Sequence, residues 1–481
     1  MRSLSFLAIA ALTPSALAAC GVSWNHTAPD IDDDWTVYPI AVNNFTFPRH
    51  IITDKDDNLL LIDRGVGVVQ VKLKENGDCV EVDSIKTILE KTDLNHGIAL
   101  SGDGKQLFAS TPKDVFVWDY DGESLKEQRN IVTNMDRTGF STKTLYIPES
   151  DDNYLIVSAG SMENNDLRCL EPISCAIKYF DIGNLPNTPY DFAKDGEILG
   201  WGLRNSVGVA EAKDGSIWSV ENSVDDLMRN GKDVHDENPA EELNYHGKIA
   251  SNTNAQKGKN FGFPNCYTAW DVEEIPDNGK LKTGSQFAAD TNKTFTDDTC
   301  NDNYEPPRLA LEAHTAPLDI KFYKPSDCKK AEEAGGLGCT VENAAFVAFH
   351  GSWNTDNPVG YSVGYIPFKG TGNVEPEATE EESQTAVRNI LVAPDLGRCP
   401  DDCFRPTGIT FNSKGQMFVT SDSKKSLVFV SHNGGAVPEA GKSNSGKKDE
   451  KEKGENSAGT LGASIWGAMA AVGVAVAFSG F

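Results

Sequence analysis

Three histidines and three arginines of this chain recur at matching positions beside short apolar runs, which scattered surface placement would not give. Ahead of one kind of run stand Asn95-His96-Gly97, Arg204-Asn205, His314-Thr315 and Arg405-Pro406-Thr407. Behind another kind stand Asp63-Arg64, Glu221-Asn222-Ser223 and His350-Gly351-Ser352-Trp353-Asn354. Guanidinium forks match carboxylates, so a ring of arginine, histidine and asparagine suits a planar ligand bearing several carboxylates or carbonyls. A neutral imidazole accepts a proton near pH 7 and suits general-base catalysis. Backbone carbonyls around Asn222-Ser223, with Glu221, Asp225 and Asp226 nearby, suit a hard cation such as calcium. Each residue also has a plain reading: a histidine at a strand end is often a hydrogen-bonded structural group, and acidic turns are often merely solvated. Convergence of the group is what favours chemistry.

That convergence needs elements that bring distant segments together, and the chain repeats one. A strand leads into a Gly/Asp turn, a five-residue apolar strand, a polar cluster and a third, alternating strand. Copies run over Asp54–Gly77, Gly102–Gly122, Ser150–Gly183, Lys213–Gly231, Ala344–Gly370 and Ser413–Gly434. Asp-Gly and Asn-Gly turns between alternating apolar residues are hairpin signals. Six such copies specify an all-β, six-bladed β-propeller, whose inner strands line a central channel. Trp35–Val42 has strand composition and is expected to close the ring with the last blade; Val82–Lys91 is the one stretch with helical periodicity. Between the copies at Lys213 and Ala344 the spacing is far longer, and this Cys-, Asn- and Gly-rich stretch reads as loop insertions on one face.

The ends carry addresses. Met1-Arg2, the apolar run Leu4–Leu17 and Ala16-Leu17-Ala18 form a secretory signal over 1–19. The propeller is expected over 20–436, followed by a polar linker over 437–457. Residues 458–481 form an uncharged apolar tail behind Asn456-Ser457-Ala458-Gly459, the layout of a GPI attachment signal, with a membrane-spanning helix as the alternative. All ten cysteines lie beyond the signal, and Cys169/Cys175, Cys328/Cys339 and Cys399/Cys403 are close enough to staple loops. Sequons at Asn25, Asn44 and Asn292 suit a glycosylated exterior. The formal charge of −27, with no basic stripe, excludes a nucleic-acid partner. The phosphate-cradling motifs GxGxxG and GxxxxGK[ST] have no strand–helix setting here.

Five segments together carry a resemblance: RNSVGVAEAKDGSIWSVENSVDD, NFGFPNCY, HTAPLDIKFY, FVAFHGSWN with GYSVGYIPF, and RPTGITFNSKGQMFVTSD. They resemble the soluble glucose/sorbosone dehydrogenase family, and within it the fungal pyranose dehydrogenases that use pyrroloquinoline quinone (PQQ). The resemblance implies a six-bladed propeller holding PQQ and Ca2+ over the channel and oxidising a sugar at C1. It implies His96 as general base; Arg204 as a catalytic and cofactor residue; Arg64, Asn205, His314, His350 and Arg405 as cofactor contacts; and main-chain carbonyls of Asn222 and Ser223 on calcium. His350 agrees with the AFHGSWN form of the sorbosone-type branch, whereas bacterial glucose enzymes carry a lysine there. Electrons would pass to an outside acceptor, a cytochrome, copper enzyme or diffusible quinone. Two alternatives stay open: a calcium-dependent propeller lactonase or hydrolase, and a non-catalytic propeller that binds cell wall.

Overall fold

In a computed structural model that describes residues 20–77, 79–135, 139–249, 255–370 and 372–432, six mainly antiparallel sheets follow one another along the chain. The expected signal, linker and anchor segments lie outside the described residues. The inner strands of blades 1 to 6 are Pro48–Thr53, Ile98–Leu100, Lys143–Tyr146, Ser206–Glu211, Pro317–Phe322 and Pro406–Phe411. Each touches the next, and the sixth touches the first, so the sheets close a ring. The protein is a six-bladed β-propeller, as the repeat specifies.

The second strands explain why the repeat is legible. Leu59–Asp63, Ala345–Phe349 and Met417–Ser421 are buried along their whole length. A strand covered by a neighbouring blade on each face is apolar throughout rather than alternating. Gly215 and Gly415 hold φ of +83° and +72° in the turns between first and second strands, a backbone state that glycine adopts without strain. The ring closes without a covalent bond: Trp35–Val42 pairs antiparallel with Ser426–His432, Val37 opposite Val430 and Tyr38 opposite Phe429.

The helical expectation over Val82–Lys91 is overturned. Cys79–Glu90 is the outer strand of blade 1, paired with Gly67–Asn76. Two register shifts, opposite Val68/Val69 and Lys72/Leu73, insert extra residues into this strand. Each bulge turns a spacing of two into three, so Val82, Ile85 and Ile88-Leu89 mimic a helix while lying on a ladder.

The long insertion divides in two around the blade 4 strand Glu241–Lys248. Its first part carries the ribbon Met228–Arg229/Lys232–Asp233; its second carries the ribbon Cys266–Thr268/Gln286–Ala288 and the helix Asp297–Asn303. Val224, Leu227, Phe263, Tyr267 and Phe287 bury one another with Cys169 and Cys175 in a small core of their own. Arg229, fully buried, reaches Asp297 with both guanidinium arms at 2.8 and 2.9 Å. The three short-range cysteine pairs form as expected, and the remaining four join as Cys20–Cys79 and Cys266–Cys300.

Cys20 precedes the strand that closes blade 6, and Cys79 lies on blade 1, so their disulfide staples the seam of the ring. A 59-residue separation makes it a large constraint on the unfolded chain, worth roughly 4 kcal/mol on the loop-entropy estimate. Replacing Cys20 and Cys79 together by serine is expected to lower the free energy of unfolding by an amount of that order, read as a lower urea midpoint. Equal midpoints for the variant and the parent would show that the strand pairing alone carries the seam.

Candidate active site

A cavity opens among blades 3, 4 and 5. Its walls come from the same phase of successive repeats. Thr142 precedes the inner strand of blade 3, Arg204-Asn205 that of blade 4, and His314 and Ala316 that of blade 5. Asn222-Ser223 follow the second strand of blade 4, and His350, Gly351 and Trp353 follow that of blade 5. Before-strand and after-strand segments are tied to each other, as where Asn222 N donates to Asn205 O at 3.0 Å.

Two buried carboxyls hold these loops from beneath. Glu221 accepts from Asn205 N at 2.8 Å and from the Ser206 hydroxyl. Glu241 accepts from Ser223 N at 2.6 Å and Ala316 N at 3.3 Å. Burial pushes both carboxyls up to about 8, with Glu242 adding to the effect on Glu221. Around the turn into blade 5, His314 and Ala316 hold φ of +62° and +50°, and the His314 ring donates from Nε2 to His235 O. Left-handed non-glycine residues are costly and persist where the surroundings fix them, which is the case in this wall.

Arg204 lines the cavity but spends its donors on protein oxygens. Nη2 reaches Asp225 at 2.6 Å and Asn164 Oδ1 at 2.8 Å, and Nε reaches Asn164 O at 3.2 Å. Nη1 donates to the main-chain oxygens of both Asn222 and Ser223, and Phe140 covers the guanidinium with its centroid 4.3 Å away. The two carbonyls assigned to a cation from the sequence thus converge on one point, and a positive group sits there. That donor set fits a hard cation, with Asp225 in the same wall.

Below the cavity the channel holds a cluster of buried charges. Asp422, after the second strand of blade 6, meets Arg49 Nη1 at 2.6 Å and His350 Nε2 at 3.0 Å. His350 Nδ1 faces Arg405 Nη2 at 2.9 Å, and Arg405 also reaches His350 O at 3.1 Å and Gly351 O at 3.0 Å. Burial alone would raise the Asp422 carboxyl, but His350, Arg49 and Arg405 hold it well below the carboxylate range. Burial lowers His350 to about 4, and Arg405 assists while Asp422 opposes. An ionised carboxylate only accepts and a guanidinium only donates, so His350 carries its proton on Nε2 and accepts at Nδ1. It is a bracket between Asp422 and Arg405 rather than a proton carrier.

His96 is different. It is wholly buried, and neither ring nitrogen has a hydrogen-bond partner among the described residues. It stands just before the inner strand of blade 2, where Gly97 lies so close to blade 3 that an added Cβ would meet Lys143 O at 2.2 Å. Its ring stacks on His50, centroids 5.3 Å apart and planes 9° from parallel. Burial first, then Arg49 and Lys321, lower its pKa well below 6.5, with Asp422 opposing. His50 is lowered likewise by burial and by Lys321, whose Nζ lies 3.0 Å from His50 Nε2 and 2.9 Å from Asp319.

The structure therefore gathers Arg204, Asn205, Asn222, Ser223, His314 and His350 around one cavity. Arg405 sits directly behind His350, and His96 lies in the channel near Arg49 and Asp422; neither is in the wall. Arg64 is further out, partly exposed, with its guanidinium 5.7 Å from the Phe47 ring. Arg49, His50, Asp319, Lys321 and Asp422 were not singled out from the sequence. For Arg49 a signal existed: Phe47-Pro48-Arg49 opens an inner strand much as Phe404-Arg405-Pro406 does, but blade 1 was read only from Asp54. Buried polar atoms remain without protein partners at His96 Nδ1 and Nε2, Thr142 Oγ1, Asn95 Oδ1 and Arg49 Nη2. Buried polar groups are normally satisfied; of these, Thr142 lines the cavity, Arg49 Nη2 offers a donor to an anion, and His96 and Asn95 offer acceptors.

Comparison with known proteins agrees with this geometry. A family model described as TrAA12-like matches residues 29–433. A "Pyrroloquinoline quinone-dependent sugar dehydrogenase" of Hypocrea jecorina is 42% identical over 83% of this chain and 88% of its own length. A "Pyrroloquinoline quinone-dependent pyranose dehydrogenase" of Coprinopsis cinerea is 34% identical over 85% of this chain, which spans only 55% of that protein. Among solved structures, a Trichoderma reesei family AA12 enzyme described as a calcium structure superposes with a TM-score of 0.78 at 40% identity, covering 85% of this chain and 98% of that one. The holo PQQ domain of the Coprinopsis cinerea pyranose dehydrogenase gives 0.77 at 31% identity, covering 85% and 98%. The blades, the phase-matched cavity and these identities lead to one assignment: the chain belongs to the TrAA12-like family.

Proposed function

We propose that this protein is a PQQ-dependent sugar dehydrogenase that oxidises aldoses or pyranoses at C1, with His96 as the general base. The observation that carries the reading is His96 itself, a neutral, buried imidazole whose two nitrogens have no hydrogen-bond partner among the described residues, within electrostatic range of Arg49 and Lys321. The names of the Hypocrea and Coprinopsis relatives support the substrate class and the cofactor. When bound, the quinone supplies a two-electron acceptor for the hydride of C1, and calcium beside it supplies Lewis-acid polarisation.

The chain's own residues do the rest. Arg204 and Arg405, the latter held through His350 and Asp422, supply positive charge for the cofactor's carboxylates; Arg64 and Asn205 are assigned the same role, and His314 shapes the blade 5 wall. The carbonyls of Asn222 and Ser223 would hold the cation, in place of the Arg204 Nη1 contacts they now accept. His96 removes the proton of the anomeric hydroxyl as hydride leaves C1, so the sugar loses one proton and one hydride and becomes the lactone. The hydrolase alternative draws less support, since Glu221 and Glu241 commit their oxygens to backbone N–H groups and the Ser206 hydroxyl. By their terminal segments, the chain is secreted and tethered to the cell surface by a GPI anchor, delivering electrons to an external acceptor.

Apoprotein reconstituted with PQQ and calcium is expected to reduce a dye in a sugar-dependent manner. His96→Gln should lower turnover by roughly two to four orders of magnitude, the span of general-base catalysis, while quinone absorbance titrates as in the parent. Normal turnover in this variant would remove His96 from the mechanism. Arg204→Ala should weaken the PQQ titration; an unchanged curve would assign the guanidinium to loop structure alone. The pH profile gives a third check. The base works as the neutral imidazole, and its pKa is depressed by burial, Arg49 and Lys321 against the opposing Asp422, with neutral His50 stacked on it. Activity is therefore retained as pH falls through 6.5 and is lost only well below it, so an acid limb of kcat/KM at or above 6.5 contradicts the assignment.

A further inference from the structure

The mouth of the cavity carries a residue that the redox chemistry leaves unused. Trp353 lines the cavity with 59% of its surface exposed, the one tryptophan or phenylalanine among the described residues left open to this degree. A side chain of this size normally buries most of its surface, so holding it in water requires a rigid support.

The support is present in the loop that follows the second strand of blade 5. His350 N and Gly351 N donate to Ala316 O and Thr315 O, both at 2.9 Å, which pins the start of the loop to the blade 5 wall. Ser352 N donates to Val359 O at 3.0 Å, and Val359 N returns a bond to the Ser352 hydroxyl at 3.0 Å. The Tyr361 hydroxyl donates to Ser352 O, so the residue next to Trp353 is held on three sides. Gly351, with φ +93°, lies against the Tyr361 ring so closely that a Cβ would come within 2.4 Å of it. The outer part of the loop is tied to the insertion by Asp356 N, which donates to Asp236 at 3.2 Å.

We propose that Trp353 is a stacking platform for the pyranose ring of the substrate, at the mouth of the cavity that Arg204 and His350 line. The proposal deepens the sugar-dehydrogenase reading of this site and rests on it for the identity of the ligand. A pyranose with equatorial hydroxyls has a face of C–H groups that suits an aromatic face, while its hydroxyls point sideways to polar groups such as Ser223 and Asp225 in the same wall. Because the loop is fixed in advance, little ordering is required on binding, and the flat indole favours closed six-membered rings over open-chain polyols.

The test compares Trp353→Ala and Trp353→Phe with the parent in two ways. In enzyme reconstituted with PQQ and calcium, Trp353→Ala should raise KM for D-glucose and related pyranoses about tenfold with kcat changed less than threefold, and Trp353→Phe should recover part of the loss. That split marks binding shared by ground and transition states. In apoprotein, D-glucose should quench tryptophan fluorescence in the parent and not in Trp353→Phe. Unchanged KM in Trp353→Ala overturns the proposal, as does weakened PQQ titration with unchanged KM, which would hand the indole to the cofactor. A preparation that oxidises no sugar yet shows quenching lost in Trp353→Phe would uphold the platform and defeat the dehydrogenase reading instead.

Discussion

The buried carboxylate of Asp422 is the constraint on which the site depends. It lies 1% exposed between Arg49 of blade 1 and His350 of blade 5, and Arg405 of its own blade 6 is attached through His350. A carboxylate in that position is not chiefly a source of stability. Desolvation can consume what a buried ion pair returns, and a well-packed apolar set is often as stable. What an apolar set cannot do is orient. One acceptor between two donors fixes the tautomer of His350, the direction of Arg405 and the place of Arg49, and it does so across the seam where the first and last blades meet. The geometry of the cluster and the closure of the ring are therefore the same fact.

Charge explains why such bracing is needed. The chain carries a formal charge of −27, a field that disfavours any polyanion approaching from solution. Attraction must come from cations close to the ligand and in a low dielectric, and Arg49, Arg204 and Arg405 are all nearly buried. Buried guanidinium groups in turn need partners when no ligand is present. Arg204 meets that need with Asp225, Asn164 and the two carbonyls of Asn222 and Ser223. The same oxygens suit a divalent cation, so the loop after blade 4 offers one set of donors to two positive groups. A divalent cation on those two carbonyls would displace Arg204 Nη1 from them.

The fold was legible because burial on both faces makes the second strands continuously apolar, and because the turns before them hold positive φ that glycine supplies. The phase argument located Arg204, Asn205, Asn222, Ser223, His314 and His350 for the same reason: equivalent positions of a cyclic repeat must meet. It failed where the periodicity was disturbed or unanchored. Bulges opposite Val68/Val69 and Lys72/Leu73 disguised a strand as a helix. Blade 1 has its inner strand at Pro48–Thr53, before the first recognisable copy, so Arg49 and His50 escaped. Asp319 and Lys321 sit inside an inner strand, Pro317–Phe322, where alternation makes a channel-facing charge look like an ordinary solvent-facing one. Sequence alone gives the phase of a residue but not which of the two faces of its strand is enclosed.

The pair His96 and His350 shows how far composition can be misleading about role. Both are fully or nearly fully buried, both are lowered by that burial, and both stand at the ends of strands in the same phase system. Their difference lies wholly in their neighbours. His350 has an obligate acceptor on one nitrogen and an obligate donor on the other, so no proton can enter or leave without breaking an ionic bond. His96 has another imidazole stacked against its face and cations within electrostatic range, but among the described residues no hydrogen-bond partner for either nitrogen. Burial first, then Arg49 and Lys321, keep that ring neutral, so one of its nitrogens carries an uncommitted lone pair.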